Sequence, residues 1–139
     1  MLYGRSGEEW ATLADVVKAF LLERAALRQT TSYTELNVVL SQRTQFTGFD
    51  FALDRERAAL GELLGQVSEN AADETGGLLI SALVQYLNAN DAGPGFYSLA
   101  RSRGLPVPSR PDDRQLFWAS HVHALHERYA RARRRRSVE

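Results

Sequence analysis

Residues 6–28, SGEEWATLADVVKAFLLERAALR, decide the fold class because they carry the clearest helix pattern in the chain. Ser6 and Glu9 have the spacing of a capping box, in which each side chain accepts a hydrogen bond from the other residue's backbone N–H. The apolar side chains that follow recur at helical spacing and predict one buried face; they are Trp10, Leu13, Val17, Phe20, Leu21 and Leu27. The stretch therefore predicts a long amphipathic helix that ends near Arg28.

Four more helices are predicted after the first one. Each begins with a residue that can cap a helix or follows a turn rich in glycine and proline, near Ser32, Asp54, Phe96 and Asp112. In the third helix, Gly61 and Gly65 are four residues apart and suggest close packing against a neighbour. The aromatic loop at residues 43–51 separates the second and third helices, and its phenylalanines fit either the core or a partner-facing patch; they are Phe46, Phe49 and Phe51.

Residues 78–86, LLISALVQY, are the one stretch that favours a strand. They are apolar on both faces, which predicts burial, although a helix also accommodates them. The predicted fold is mainly α (α+β), with about five helices and one short buried strand or hairpin. A winged-helix-like arrangement is one version of it. At 139 residues the chain is expected to form a single domain, 1–139.

The composition excludes several classes of protein. The chain has no cysteine, so it has no disulfide and no thiolate site, and no apolar run approaches the ~20 residues of a membrane span. The N-terminus has no secretion signal, so a cytoplasmic protein without membrane contact is expected. Three prolines stiffen residues 105–112, a connector to the last helix, and residues 130–139 form a basic tail.

Charge is divided unevenly along the chain. Residues 1–109 carry nine basic and 13 acidic side chains, whereas residues 110–139 carry eight and four. Six arginines fall in one stretch near the C-terminus: Arg128, Arg131, Arg133, Arg134, Arg135 and Arg136. Such a block is typical of contacts with nucleic-acid phosphates, although a solubilising terminus has the same composition. The leading hypothesis is a small non-enzymatic protein that binds nucleic acid, most plausibly DNA, through this helix and tail, with Arg55, Arg57 and Tyr33 as further contacts.

The three histidines, His121, His123 and His126, cluster in the last helix. At about 100° per residue, His121 and His123 point in nearly opposite directions, so they cannot share one metal ion. They are interpreted as solvated residues or residues at the edge of the core, and no metal or cofactor is expected. A metal-independent ribonuclease is a further hypothesis, with His126 as the general base beside Tyr129 and Arg133.

A protein–protein interaction or self-assembly module is the other alternative function. In this interpretation the connector at 105–112 lets the aromatic last helix dock on a partner or on a second copy. The segment ISALVQYLNANDAGPGFYSLA resembles stretches of uncharacterised bacterial and phage proteins, which favours a mobile-element or defence context.

Residues 30–100 resemble the DNA-binding domain of the O6-alkylguanine alkyltransferase and alkyltransferase-like family. The segment Thr31–Leu36, TSYTEL, is similar to that family's Thr-Thr-Tyr-Gly-Glu-Leu helix start, and Arg57–Gly61, RAALG, is similar to the start of its recognition helix. The resemblance implies that Tyr33 helps to rotate a phosphate and that Arg57 enters the base stack. The family's Cys-His pair is absent here, near Ala82 and Leu83, so alkyl transfer is excluded.

Overall fold

A computed structural model describes residues 5–87 and 89–138, and for residues 131–138 it describes the backbone alone. Within these residues there are five α-helices, one 3-10 helix at Ile80–Leu83 and two short strands. The helices are α1 (Gly7–Ala26), α2 (Tyr33–Arg43), α3 (Asp54–Ala71), α4 (Pro94–Ser102) and α5 (Pro111–Val138). The strands are β1 (Thr31–Ser32) and β2 (Val84–Gln85). The predicted mainly α fold with a small β part is confirmed.

Helix α1 is the centre of the packing, because it contacts α2, α3, α5 and the 3-10 helix. Its N-terminus has the predicted capping box, with the Ser6 hydroxyl accepting from the Glu9 N–H and the Glu9 carboxylate accepting from the Ser6 N–H. Its buried face holds Trp10, Leu13, Val17, Phe20, Leu21 and Ala25. The first helix therefore forms as its sequence pattern predicts and ends at Ala26. Leu27, predicted on the buried face, is instead the residue just after the helix and is 47% exposed.

The predicted strand at 78–86 forms only in part. Residues Ile80–Leu83 make a 3-10 turn, and only β2 enters a sheet, where it pairs in parallel with β1. Parallel pairing differs from the antiparallel hairpin that forms a wing. The backbone around the 3-10 turn is satisfied by side chains from α3 and α5 instead of by a neighbouring strand: Ser68, His121 and Trp118. This explains why the segment is buried without being a regular strand.

The aromatic loop before α3 packs onto the core. Phe49 is buried, and its backbone N–H and C=O both bond to the amide side chain of Asn37 on α2. Phe46 and Phe51 are partly buried against the same cluster. Asp54, expected to cap α3, is instead the first residue of that helix, and Leu53 precedes it without a side-chain cap. None of the helices in the described part of the chain is both long and apolar enough to cross a membrane.

Candidate nucleic-acid interface and a glycine-lined crevice

Residues 126–130 of α5 lie near the C-terminal end of α1. Ala130, the last residue of α5 whose side chain is described, is buried. One helical turn earlier, Glu127 pairs with Arg28 at 2.9 Å and the ring of His126 bonds to the Gln29 carbonyl at 3.0 Å. These contacts anchor this turn of α5 to the end of α1.

Arg128 is the predicted contact residue whose side chain the structure describes at this end. It is exposed, and its Nη2 donates to the Glu74 carbonyl at 2.8 Å. It forms no ion pair with the other described side chains, because the Glu74 carboxylate pairs with Lys18. Its charge is therefore held in place by the backbone and is not neutralised.

The helical backbone of α5 continues from Ala130 to Val138. The side chains of five predicted contact residues lie outside the described residues: Arg131, Arg133, Arg134, Arg135 and Arg136. Between residues 131 and 136 the sequence contains no apolar side chain larger than alanine.

Arg55 and Arg57 belong to a different surface, at the start of α3. Arg55 is exposed, whereas the Arg57 guanidinium is held by the Phe51 carbonyl and by Asp54. Next to them, Glu56 accepts two hydrogen bonds from Arg5, which stands just before α1. Arg5 and Arg28 flank α1, whose 20 residues span about 30 Å. The two predicted groups of arginines therefore lie toward opposite ends of the molecule.

Tyr33 is buried at 3% exposure and does not lie on the surface with the arginines. Its ring packs edge-on against Tyr86 and is tilted against Phe51. Burial raises the pKa of the Tyr33 hydroxyl to about 12. The helical spacing of Tyr33 with Leu36 and Leu40, all buried on α2, accounts for this position. In this structure the Tyr33 hydroxyl is directed inward, and a phosphate at the surface would not meet it.

The histidines occupy three different environments. His121 is buried, and its Nε2 accepts a hydrogen bond from the Leu79 N–H at 2.8 Å. Burial lowers the pKa of His121 to about 4, so the ring is neutral. His123 is exposed, and His126 is half-buried. The described part of the chain contains no group of three or more metal-ligating side chains that could hold an ion.

A small crevice lies between α2, α3, the 3-10 turn and the start of α4, and we call it the Ser81 crevice. Its lining includes Tyr33, Gly61, Gly65, Ser81, Gly93 and Gly95, and its volume is about 20 Å³. The Ser81 Oγ is buried without a hydrogen-bond partner among the described residues. Sequence reasoning missed this feature, because the Gly61–Gly65 spacing predicts close packing against a neighbour and not a crevice.

The residues around the Ser81 crevice reduce the stability of the protein. A buried hydroxyl without a partner costs about 1–3 kcal/mol relative to a satisfied one, and a glycine inside a helix costs about 1 kcal/mol relative to alanine. Gly65 was expected to allow close packing, yet a Cβ added there would meet no atom within 4 Å. Since a side chain at position 65 would not clash with a neighbour, close packing does not explain this glycine or the empty space beside it.

Comparisons of the chain with protein-family models, with curated proteins and with solved structures found no match.

Proposed function

We propose that this protein binds duplex DNA through the C-terminal end of α5, using Arg128 and the arginines between 131 and 136. The observation that carries the proposal is the helical backbone of α5 through residues 131–138, together with five arginines among the six residues 131–136. A helix of this composition carries concentrated positive charge on a stiff support. Phosphates are the ligands that such charge attracts most strongly.

Neighbouring carboxylates leave this charge available. Glu127 pairs with Arg28, and Glu74 pairs with Lys18, so both acidic groups at the base of the segment already have cationic partners. Arg128 is held by a carbonyl and keeps its full charge. Duplex DNA is favoured over single strands because its charge density is higher and counterion release is larger per contact.

Fluorescence anisotropy of a labelled DNA duplex, measured across a series of salt concentrations, tests the proposal. We compare the full chain with a version that ends at Ala130. Each phosphate neutralised by an arginine contributes about −0.9 to the slope of log affinity against log salt concentration. If three to five of the arginines between 131 and 136 make contact, truncation should reduce the magnitude of the slope by roughly 2.7 to 4.5.

The matched control is Arg55→Ala, which removes one exposed arginine at the opposite end of α1. Its affinity and salt slope should equal those of the unmodified chain, whereas Arg128→Ala should reduce the slope by about 1. Binding that is unchanged after truncation would contradict the proposal. If Arg55→Ala lowered the DNA affinity and the salt slope as much as Arg128→Ala does, the interface would lie at the start of α3, as the resemblance of residues 30–100 to a DNA-binding domain implies.

The same protein preparations test the two alternative functions. A self-assembly module would form a defined oligomer in sedimentation experiments, and this oligomer would persist after truncation at Ala130. A ribonuclease would cleave RNA in the presence of a chelator and lose this activity in His126→Ala. The His126 Nε2 donates to the Gln29 carbonyl, so Nδ1 is the ring nitrogen that would act as such a base.

A further inference from the structure

We propose that the Ser81 crevice is a binding site for a small carboxylate, separate from the DNA interface. At about 20 Å³ the crevice has room for one water-sized group. It can therefore admit one oxygen of a carboxylate head group, but not a ring. The rest of such a molecule would lie at the mouth of the crevice.

The groups that meet at the crevice are donors and hydroxyls. Ser81 has a buried Oγ without a partner among the described residues, and the Tyr33 side chain lines the same crevice. In the first turn of α4, Pro94 has no N–H and the Phe96 N–H bonds to the Gly93 carbonyl, so Gly95 supplies the backbone donor. Gly93, the residue before this helix, has no side chain that could cap it. A ligand with two acceptor oxygens can satisfy these groups together.

Charge at the crevice favours an anion over a neutral ligand. The N-terminus of a helix carries a partial positive charge, and α4 starts at the crevice. No acidic residue lines the crevice. The nearest one in sequence, Asp91, has its carboxylate oxygen bonded to the Ala92 N–H and the Tyr97 hydroxyl. The crevice therefore has no carboxylate of its own.

The glycines keep the crevice open. A Cβ at Gly93 would lie 3.1 Å from the Tyr33 hydroxyl, whereas one at Gly65 or Gly95 would meet no atom within 4 Å. Alanine at position 65 thus adds a methyl group to the crevice wall without a clash. Gly65→Ala can therefore weaken ligand binding without destabilising the folded protein.

Titration of the ¹⁵N-labelled full chain with sodium acetate, which replaces sodium chloride at constant ionic strength, tests the site. We expect saturable shifts of the Ser81 and Gly95 amide signals, with a millimolar Kd. Ser81→Ala and Gly65→Ala should each weaken acetate binding at least tenfold, without lowering Tm. Shifts that stay linear to high acetate concentration, or that are the same in Ser81→Ala, would overturn the proposal.

Two controls complete the experiment. Gly7→Ala makes the same substitution at an open position of α1 and should bind acetate as the unmodified chain does. Acetamide, which has nearly the same shape but no charge, should bind at least fivefold more weakly than acetate, and equal binding would refute a carboxylate site. DNA affinity should be unchanged in Ser81→Ala, which shows that the two sites are independent.

Discussion

His121 makes the stability of this protein depend on pH between about 6.5 and 4. The ring is 8% exposed, and its Nε2 must stay unprotonated to accept the Leu79 N–H. Burial lowers the pKa of His121 from 6.5 to about 4. Above pH 6.5 the ring is neutral in both the folded and the unfolded chain, so the stability is fully present there. Below that pH the unfolded chain takes up a proton that the folded chain does not, and stability falls until the pH reaches about 4.

The size of this effect follows from the shift in pKa. One pKa unit corresponds to about 1.4 kcal/mol, so the whole pH window is worth about 3 kcal/mol and the loss at pH 4.5 is about 2.5 kcal/mol. Urea unfolding at pH 7.5, 5.5 and 4.5 measures it. The unmodified chain should lose about 2.5 kcal/mol more than His121→Gln, in which an amide oxygen can accept the same N–H without titrating.

His123→Gln is the matched control, because His123 is exposed on the same helix. It should follow the unmodified chain at every pH. Glu56, whose pKa is lowered chiefly by its hydrogen bonds from Arg5, also loses stabilising charge in acid, but it does so equally in all three proteins. Parallel stability curves for the unmodified chain and His121→Gln would refute the reasoning, since the Leu79 contact would then tolerate a protonated ring.

Three further substitutions test single contacts by urea unfolding. Trp118→Phe removes the indole N–H that donates a 2.7 Å hydrogen bond to the Ala82 carbonyl. It should lower the free energy of unfolding by about 1–3 kcal/mol, because this buried carbonyl loses its partner. A change near zero would mean that water replaces the indole. Asn37→Ala breaks both bonds to the Phe49 backbone and should cost a similar amount, with faster amide exchange in residues 45–53 as the local readout. Gly76→Ala should cost about 1–2 kcal/mol, because φ is +70° and the new Cβ would lie 3.0 Å from the Arg128 guanidinium, whereas Gly7→Ala should not destabilise.

The sequence predicts best the features whose causes are local. The capping box at Ser6 and Glu9 and the apolar stripe of α1 involve residues three or four apart, and both appear in the structure. The cap expected at Ser32 forms, because the serine hydroxyl accepts from the Glu35 N–H. The reciprocal bond of a full capping box does not form, because the Glu35 carboxylate bonds to the Thr31 hydroxyl and to Arg24. Arg24 comes from another helix and has no signal in the local pattern.

The segment 78–86 shows why long-range contacts escape a sequence pattern. Its backbone N–H groups at Leu79 and Ser81 are satisfied by side chains from α5 and α3, which are 42 and 13 residues away. A strand-like run of apolar residues therefore becomes a 3-10 turn, because polar side chains replace a neighbouring strand. Periodicity along the segment cannot reveal which distant serine or histidine will reach it.

The candidate sites also differ in how far the sequence alone predicts them. The arginine block is a property of composition and is visible in the sequence, whereas the distance between Arg55 and Arg128 depends on how α3 and α5 pack on α1. Tyr33 could have been placed in the core from its helical spacing with Leu36 and Leu40. The Ser81 crevice depends on four separate segments meeting, so only the three-dimensional structure brings its hydroxyls and glycines together.

The contact between α1 and α5 has a consequence for the folding of the chain during synthesis. Because α1 packs against α5, which is synthesised after the other described helices, part of the buried face of α1 has no cover until α5 has been made. Contacts between distant parts of a chain slow folding and expose nascent segments to aggregation. We therefore expect the first helix to depend on chaperone protection until Trp118 and Leu125 have left the ribosome.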